Sequence, residues 1–155
     1  MKRIADLKDG VCLSIINVLK DYEKSVEGNL DLILVMNSAK DWEEYADMAL
    51  GERLNKVYFT PRSTRLIQRE QSVSGSPDIS NEALIFDDSW FTFESFFEVL
   101  AWMEKAGYDN KKISVFYIMG ENNPSTPNDK MLYRMKTVLC SLDEFIDIKE
   151  NYYGK

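Results

Sequence analysis

The chain contains no histidine. This removes Ser-His-Asp and Cys-His nucleophile systems, His-ligated zinc and any histidine general base. Its two cysteines, Cys12 and Cys140, lie far apart and neither belongs to a Cys-x-x-Cys pair. Buried, reduced thiols are the expectation, with no metal or disulfide role. No run of about eighteen apolar residues occurs, so no membrane-spanning helix is expected. Met1 to Asp6 run straight into charged sequence, without an apolar leader core or a small-residue cleavage site, which points to a cytoplasmic protein. Positive charge is in deficit: 19 Lys plus Arg against 26 Asp plus Glu leave a net charge of −7. A surface of that sign repels phosphate backbones and anionic lipid, so neither nucleic acid nor membrane is the expected partner. Neither a Gly-x-Gly-x-x-Gly nor a Walker pattern is present.

What remains is a chain of 155 residues, 45% apolar and 29% charged, the balance of one globular domain spanning residues 1–155. Val11, Ile15, Val18, Leu19, Tyr22 and Val26 follow helical spacing and Gly28 supplies a stop. Leu30 to Met36 is apolar almost without interruption and predicts a strand covered on both faces, hence a parallel sheet. A polar stretch at 37–41 leads into a helix carrying Trp42, Tyr45, Ala46, Ala49 and Leu50. Lys56–Thr60 predicts a strand that stops at Pro61. Residues 61–81 predict a long flexible loop without structure of its own, and Arg62, Arg65 and Arg69 give it local positive charge. Ala83–Phe86 predicts a short strand ending in Asp87-Asp88, followed by a helix with Phe93 and Phe97 on its core face. Ile113–Met119 predicts another strand. Beyond it, Asn128 is placed to cap a helix carrying Met131, Met135, Val138 and Leu139, and Phe145–Ile148 to add an edge strand.

This alternation predicts an α/β protein: a doubly wound, mainly parallel sheet flanked by helices in three Rossmann-like layers. Ligands of such sheets sit beyond the carboxyl ends of the strands. Asp87 and Asp88 stand at such an end, where paired carboxylates can accept hydrogen bonds from a vicinal diol or hold a divalent ion through water. The structural alternative is that one acid caps the following helix and the other is solvated.

The string Glu82-Ala-Leu-Ile-Phe-Asp-Asp-Ser-Trp-Phe-Thr-Phe-Glu-Ser95 resembles the signature of the type I phosphoribosyltransferase family: four apolar residues, two acids, two apolar residues, then a hydroxyl-rich phosphate loop and a helix. Leu30 to Asp41 is similar to that family's strand and pyrophosphate loop, and the order of elements from about residue 11 to 119 can be laid along it. The resemblance implies binding of phosphoribosyl pyrophosphate (PRPP) or a related ribose phosphate with Mg²⁺, the transfer of a phosphoribosyl group, and a role in nucleotide metabolism. It assigns Asp87 and Asp88 to the ribose hydroxyls and, through them, to the metal. It places Thr92 and Ser95 at the 5′-phosphate, Asn37, Ser38 and Lys40 at the pyrophosphate, and Arg62 or Arg65 over the leaving group. A small phosphorylated sugar or nucleotide is the implied partner, and a homodimer is compatible with it.

The departures are specific. Phe93 stands where the family has the glycine of the phosphate loop, Phe91 where it has the first threonine, and Glu94 adds negative charge beside the phosphate position. The resemblance is therefore to a divergent member in which catalysis is impaired. A reading of a different class is a non-catalytic, acidic, immunity-type protein that uses Trp90, Phe91, Phe93, Phe96 and Phe97 to recognise a basic protein partner.

Overall fold

The computed structural model describes residues 4–36, 38–62, 70–87, 94–120 and 135–152. Helix α1 (Ile4–Glu23) leads through a turn at Gly28, where φ is +78°, into strand β1 (Leu30–Val35), whose six residues are all buried. A 3₁₀ turn (Ser38–Trp42) and helix α2 (Glu43–Leu50) connect β1 to β2 (Leu54–Thr60). Strands β3 (Ser72–Ser74) and β4 (Glu82–Phe86), helix α3 (Glu94–Ala106), strands β5 (Ile113–Gly120) and β6 (Met135–Ser141), and helix α4 (Leu142–Tyr152) follow.

The strands form one sheet in the order β3-β2-β1-β4-β5-β6. The central four are parallel, and β3 and β6 are antiparallel edges. Side-chain alternation along β1 explains the layers. Leu30, Leu32 and Leu34 join Ile15 and Leu19 of α1 and Ala46 and Leu50 of α2. Ile33 and Val35 join Phe96, Val99 and Met103 of α3 and Phe145 of α4. The chain thus winds outward from β1 through α2 to β2, then returns past β1 to β4 and continues through α3 to β5. The two helices cover opposite faces because right-handed crossovers run in opposite directions. This is the three-layer α/β architecture that the apolar strands predict.

Asp31, the one acid in β1, is fully buried. Its Oδ1 accepts hydrogen bonds from Asn55 Nδ2 (2.9 Å) and Asn81 Nδ2 (3.0 Å). Its Oδ2 accepts from the backbone N–H of Asp78 (2.8 Å) and from the Tyr108 hydroxyl. Burial, reinforced by this carboxylate, pushes the Tyr108 phenol well above its ordinary pKa, so it stays a donor. One carboxylate thereby joins β1, β2, the segment before β4 and the turn after α3. The chain reaches Asp78 by running against β2, and at Gly75 it comes so close that a Cβ would lie 2.5 Å from the Lys56 carbonyl oxygen. Its φ of +105° also requires glycine. Arg53 closes the other layer, its guanidinium donating to the carbonyls of Glu23 (3.2 Å), Val26 and Gly28 (2.9 Å) at the end of α1.

Three expectations are corrected. The connection after β2 has structure of its own, since Ser72–Ser74 pairs antiparallel with Tyr58–Thr60. The order of the last two elements is reversed: Met135, Val138 and Leu139 belong to strand β6 and Phe145–Ile148 to helix α4. In β6, Val138 packs toward the α3/α4 layer and Leu139 toward the α1/α2 layer, so neighbouring apolar residues reflect two-sided burial, not a helical stripe. The helix start is written in Ser141-x-x-Glu144, where the Ser141 hydroxyl accepts from the Glu144 N–H (3.2 Å) and donates to its carboxylate (3.0 Å). Finally, the core face of α3 is Phe96, Val99 and Met103, whereas Phe97 is 46% exposed. Met131, Asn128 and Phe93 lie outside the described residues.

Asp31→Ala would leave the Asn81 amide, the Tyr108 hydroxyl and the Asp78 N–H without their acceptor, and is expected to cost about 2–4 kcal/mol. Urea denaturation measures this, and a loss below about 0.5 kcal/mol would show that the network is dispensable.

Candidate functional site

Because β1, β2, β4 and β5 are parallel, their carboxyl ends share one edge of the sheet. The winding direction changes between β1 and β4, and doubly wound sheets open their ligand crevice at that position. Four of the residues singled out from the sequence can be placed around it. Asp87 follows β4 directly. Its backbone N–H donates to the Phe116 carbonyl (3.3 Å), extending the pairing with β5 by one residue. It is 4% exposed, and Asp31 and Asp87 are the buried charged residues among those described. Asp31 lies near the amino ends of the strands, so among the described residues Asp87 is the buried carboxylate of the carboxyl edge.

At the end of β1 the Met36 N–H donates to the Phe59 carbonyl (2.8 Å), which keeps β1 and β2 paired to their last residues. The 3₁₀ turn then anchors itself through Ala39, fully buried in the α1/α2 layer, while Lys40 beside it is exposed. At the end of β2, Pro61 is buried and Arg62 is exposed. The Arg62 N–H donates to Glu98 Oε2 (2.5 Å), tying this turn to α3. Ser95, in the first turn of α3, is half-buried. Lys40 and Arg62 form no ion pair with any described residue. Asn37, Arg65, Asp88 and Thr92 lie outside the described residues, as do Trp90, Phe91 and Phe93; Ser38 is described by its place in the 3₁₀ turn alone. Phe96 is core and Phe97 is exposed, so these two neighbours do not share a surface.

The position of Lys40 depends on α2, and α2 is held to β2 by a charge cluster that was not anticipated. Lys56 Nζ donates to Glu43 Oε2 (2.7 Å) and Asp47 Oδ2 (2.9 Å), and the Tyr58 hydroxyl donates to the same Glu43 oxygen (2.7 Å). Partial burial disfavours both charges. The hydrogen bonds outweigh it, holding the Glu43 carboxyl below its ordinary pKa and the Lys56 ammonium well above its own. Lys40 adds a weaker attraction that also lowers Glu43. The sequence signal was Lys56 and Tyr58 at alternate positions of one strand, with Glu43 and Asp47 one turn apart on the preceding helix. The free thiol of Cys140 is buried, and burial, with Glu144 nearby, pushes its pKa up to about 11, so it stays protonated at neutral pH.

No family model matches the chain, and no curated protein matches it. Among solved structures, the fold is similar to a purine phosphoribosyltransferase from Pyrococcus horikoshii Ot3, with a TM-score of 0.50 and 15% sequence identity over 70% of each chain. The likeness covers the architecture: a mixed six-stranded sheet flanked by helices, with a phosphoribosyltransferase-like fold. No helix among the described residues is long and apolar enough to cross a membrane.

Lys56→Met is expected to lower stability at pH 7 by up to about 1 kcal/mol, because the cluster is partly exposed. The sign follows from Glu43. Its folded pKa is depressed, so its contribution is present above its unfolded pKa and is lost as pH falls through the folded value. The difference between wild type and variant in denaturant midpoint should therefore shrink below about pH 4. A gap as large at pH 2 as at pH 7 would contradict this electrostatic origin.

Proposed function

We propose that the protein binds PRPP or a related ribose phosphate at the carboxyl edge of β1, β2 and β4, and that it is a divergent phosphoribosyltransferase with impaired catalysis. The observation that carries this reading is Asp87, a carboxylate held out of bulk water where the sheet changes winding direction. It is supported by a fold like that of a purine phosphoribosyltransferase and by the two acids, Asp87 and Asp88, in a sequence string that resembles the family signature.

In this reading Asp87 and Asp88 accept hydrogen bonds from the ribose hydroxyls. Asn37, Ser38 and Lys40 contact the pyrophosphate, and Thr92 and Ser95 the 5′-phosphate. Arg62 or Arg65 stabilises the charge that builds on the leaving group. Lys40 and Arg62 suit that task because they are exposed and unpaired among the described residues of an acidic chain. Among the described residues no group of three or more His, Cys, Asp or Glu forms a metal cluster. A magnesium ion that arrives with the pyrophosphate, held by its oxygens and one or two carboxylates, fits that donor set. Catalysis is impaired because Phe93 replaces the glycine that would let backbone N–H groups approach a phosphate, and Glu94 adds negative charge beside it. The acidic immunity-type reading has a narrower basis, the net charge of −7 and the exposed ring of Phe97.

Thermal denaturation with millimolar PRPP and Mg²⁺ tests the proposal, since a ligand of the native state raises stability by mass action. At about 100 times Kd the gain is about 2.7 kcal/mol, a rise of roughly 5–10 °C for a chain of this size. Asp87→Asn should abolish the rise. No shift for the wild type would contradict ribose-phosphate binding and leave the protein-partner reading.

A further inference from the structure

We infer that Glu98 is a positioning residue for anion binding: it holds the Arg62 backbone so that the Arg62 guanidinium serves the pyrophosphate subsite. This rests on the ribose-phosphate reading of the carboxyl edge. Strand β2 ends at Thr60, and the buried Pro61 fixes the backbone angle with which the chain leaves the sheet. The next amide, that of Arg62, donates to Glu98 Oε2 at 2.5 Å, a charge-assisted bond between the end of β2 and a helix that follows β4.

An acid beside an arginine ordinarily takes the guanidinium. Here Glu98 takes the backbone N–H, and the Arg62 side chain stays exposed without an ion pair to any described residue. The contact therefore fixes where the side chain starts without neutralising its charge. Glu98 lies one turn beyond Ser95, and residues three apart share a side of a helix. The bond thus ties the Arg62 backbone to the first half of α3, the helix that follows Asp87 and β4. The cation so placed belongs to the pyrophosphate end of the ligand, and inorganic pyrophosphate with Mg²⁺ is the simplest probe of it.

Titration calorimetry of the full chain with magnesium pyrophosphate, and separately with PRPP, tests the inference. Glu98→Ala should weaken pyrophosphate about tenfold, the effect of losing one charge-assisted contact, whereas Glu98→Gln, which keeps an acceptor oxygen, should stay within about threefold of wild type. The penalty of Arg62→Ala should largely vanish in the Glu98→Ala background, a coupling that a merely structural role would not produce. Glu98→Ser, too short to reach the Arg62 amide, gives the same readout where Glu98→Ala does not fold. Wild-type binding with additive penalties, or with no loss in Glu98→Ala, would overturn the positioning role alone. Failure of the wild type to bind either probe would overturn the ribose-phosphate reading, and this inference with it.

Discussion

A carboxylate buried in the first turn-to-strand step of the central strand constrains most of this molecule. Asp31 stands among Leu30, Leu32 and Ile33, and removing a charge from water there is tolerable only because donors converge on both its oxygens. Those donors come from β2, from the approach to β4 and from the turn after α3. Meeting them fixes the register in which Leu30 stands opposite both Leu54 and Glu82. With the amino edge closed in this way, the ends of the same strands are determined too: Val35 lies opposite Phe59, and Leu34 opposite Phe86. The carboxyl edge carries Lys40, Arg62 and Asp87 in the turns that follow β1, β2 and β4.

The division of labour between edges also accounts for the charge distribution. The protein carries a net −7, and several of its cations are committed. Arg53 caps α1 and pairs with Glu23 (3.3 Å), and Lys56 joins α2 to β2. Lys40 and Arg62 remain exposed without ion pairs among the described residues, both just past strand ends on one edge of the sheet. A local positive field on an acidic body favours a compact anion over a long polyanion, because distant repulsion grows with the length of the ligand while the local attraction does not. A sugar phosphate suits that field better than a nucleic acid does.

The legible parts of the sequence were those where one physical demand dominated. Leu30–Val35, Glu82–Phe86 and Ile113–Gly120 lie within sheet covered on both faces, and their near-continuous apolar character left little choice but parallel strands. The last quarter of the chain failed because Val138 and Leu139 satisfy a helical stripe and a two-sided strand equally well. The capping signal at Ser141 and Glu144 would have decided it. The phase of α3 is not legible to one residue, since Phe96 and Phe97 are chemically identical; packing against Phe145 (4.5 Å between ring centroids) marks Phe96 as core. Asp31 was visible as a lone acid in an apolar strand, but its partners Asn81 and Tyr108 are 50 and 77 residues away and carry no local sign of the contact. Of the site, Asp87 was legible because a strand ending in acids is a local pattern. Glu98 was not, because its partner is a backbone amide, which leaves no trace in residue type.

The central question is whether a ribose occupies the crevice beside Asp87. A crystal structure of the protein grown with PRPP and Mg²⁺ measures this directly. Ribose hydroxyls are expected within hydrogen-bonding distance of the Asp87 carboxylate, with the pyrophosphate lying toward Lys40 and Arg62. A crevice at the ends of β1 and β4 that stays empty at saturating PRPP, or sugar density at another edge of the sheet, would contradict it.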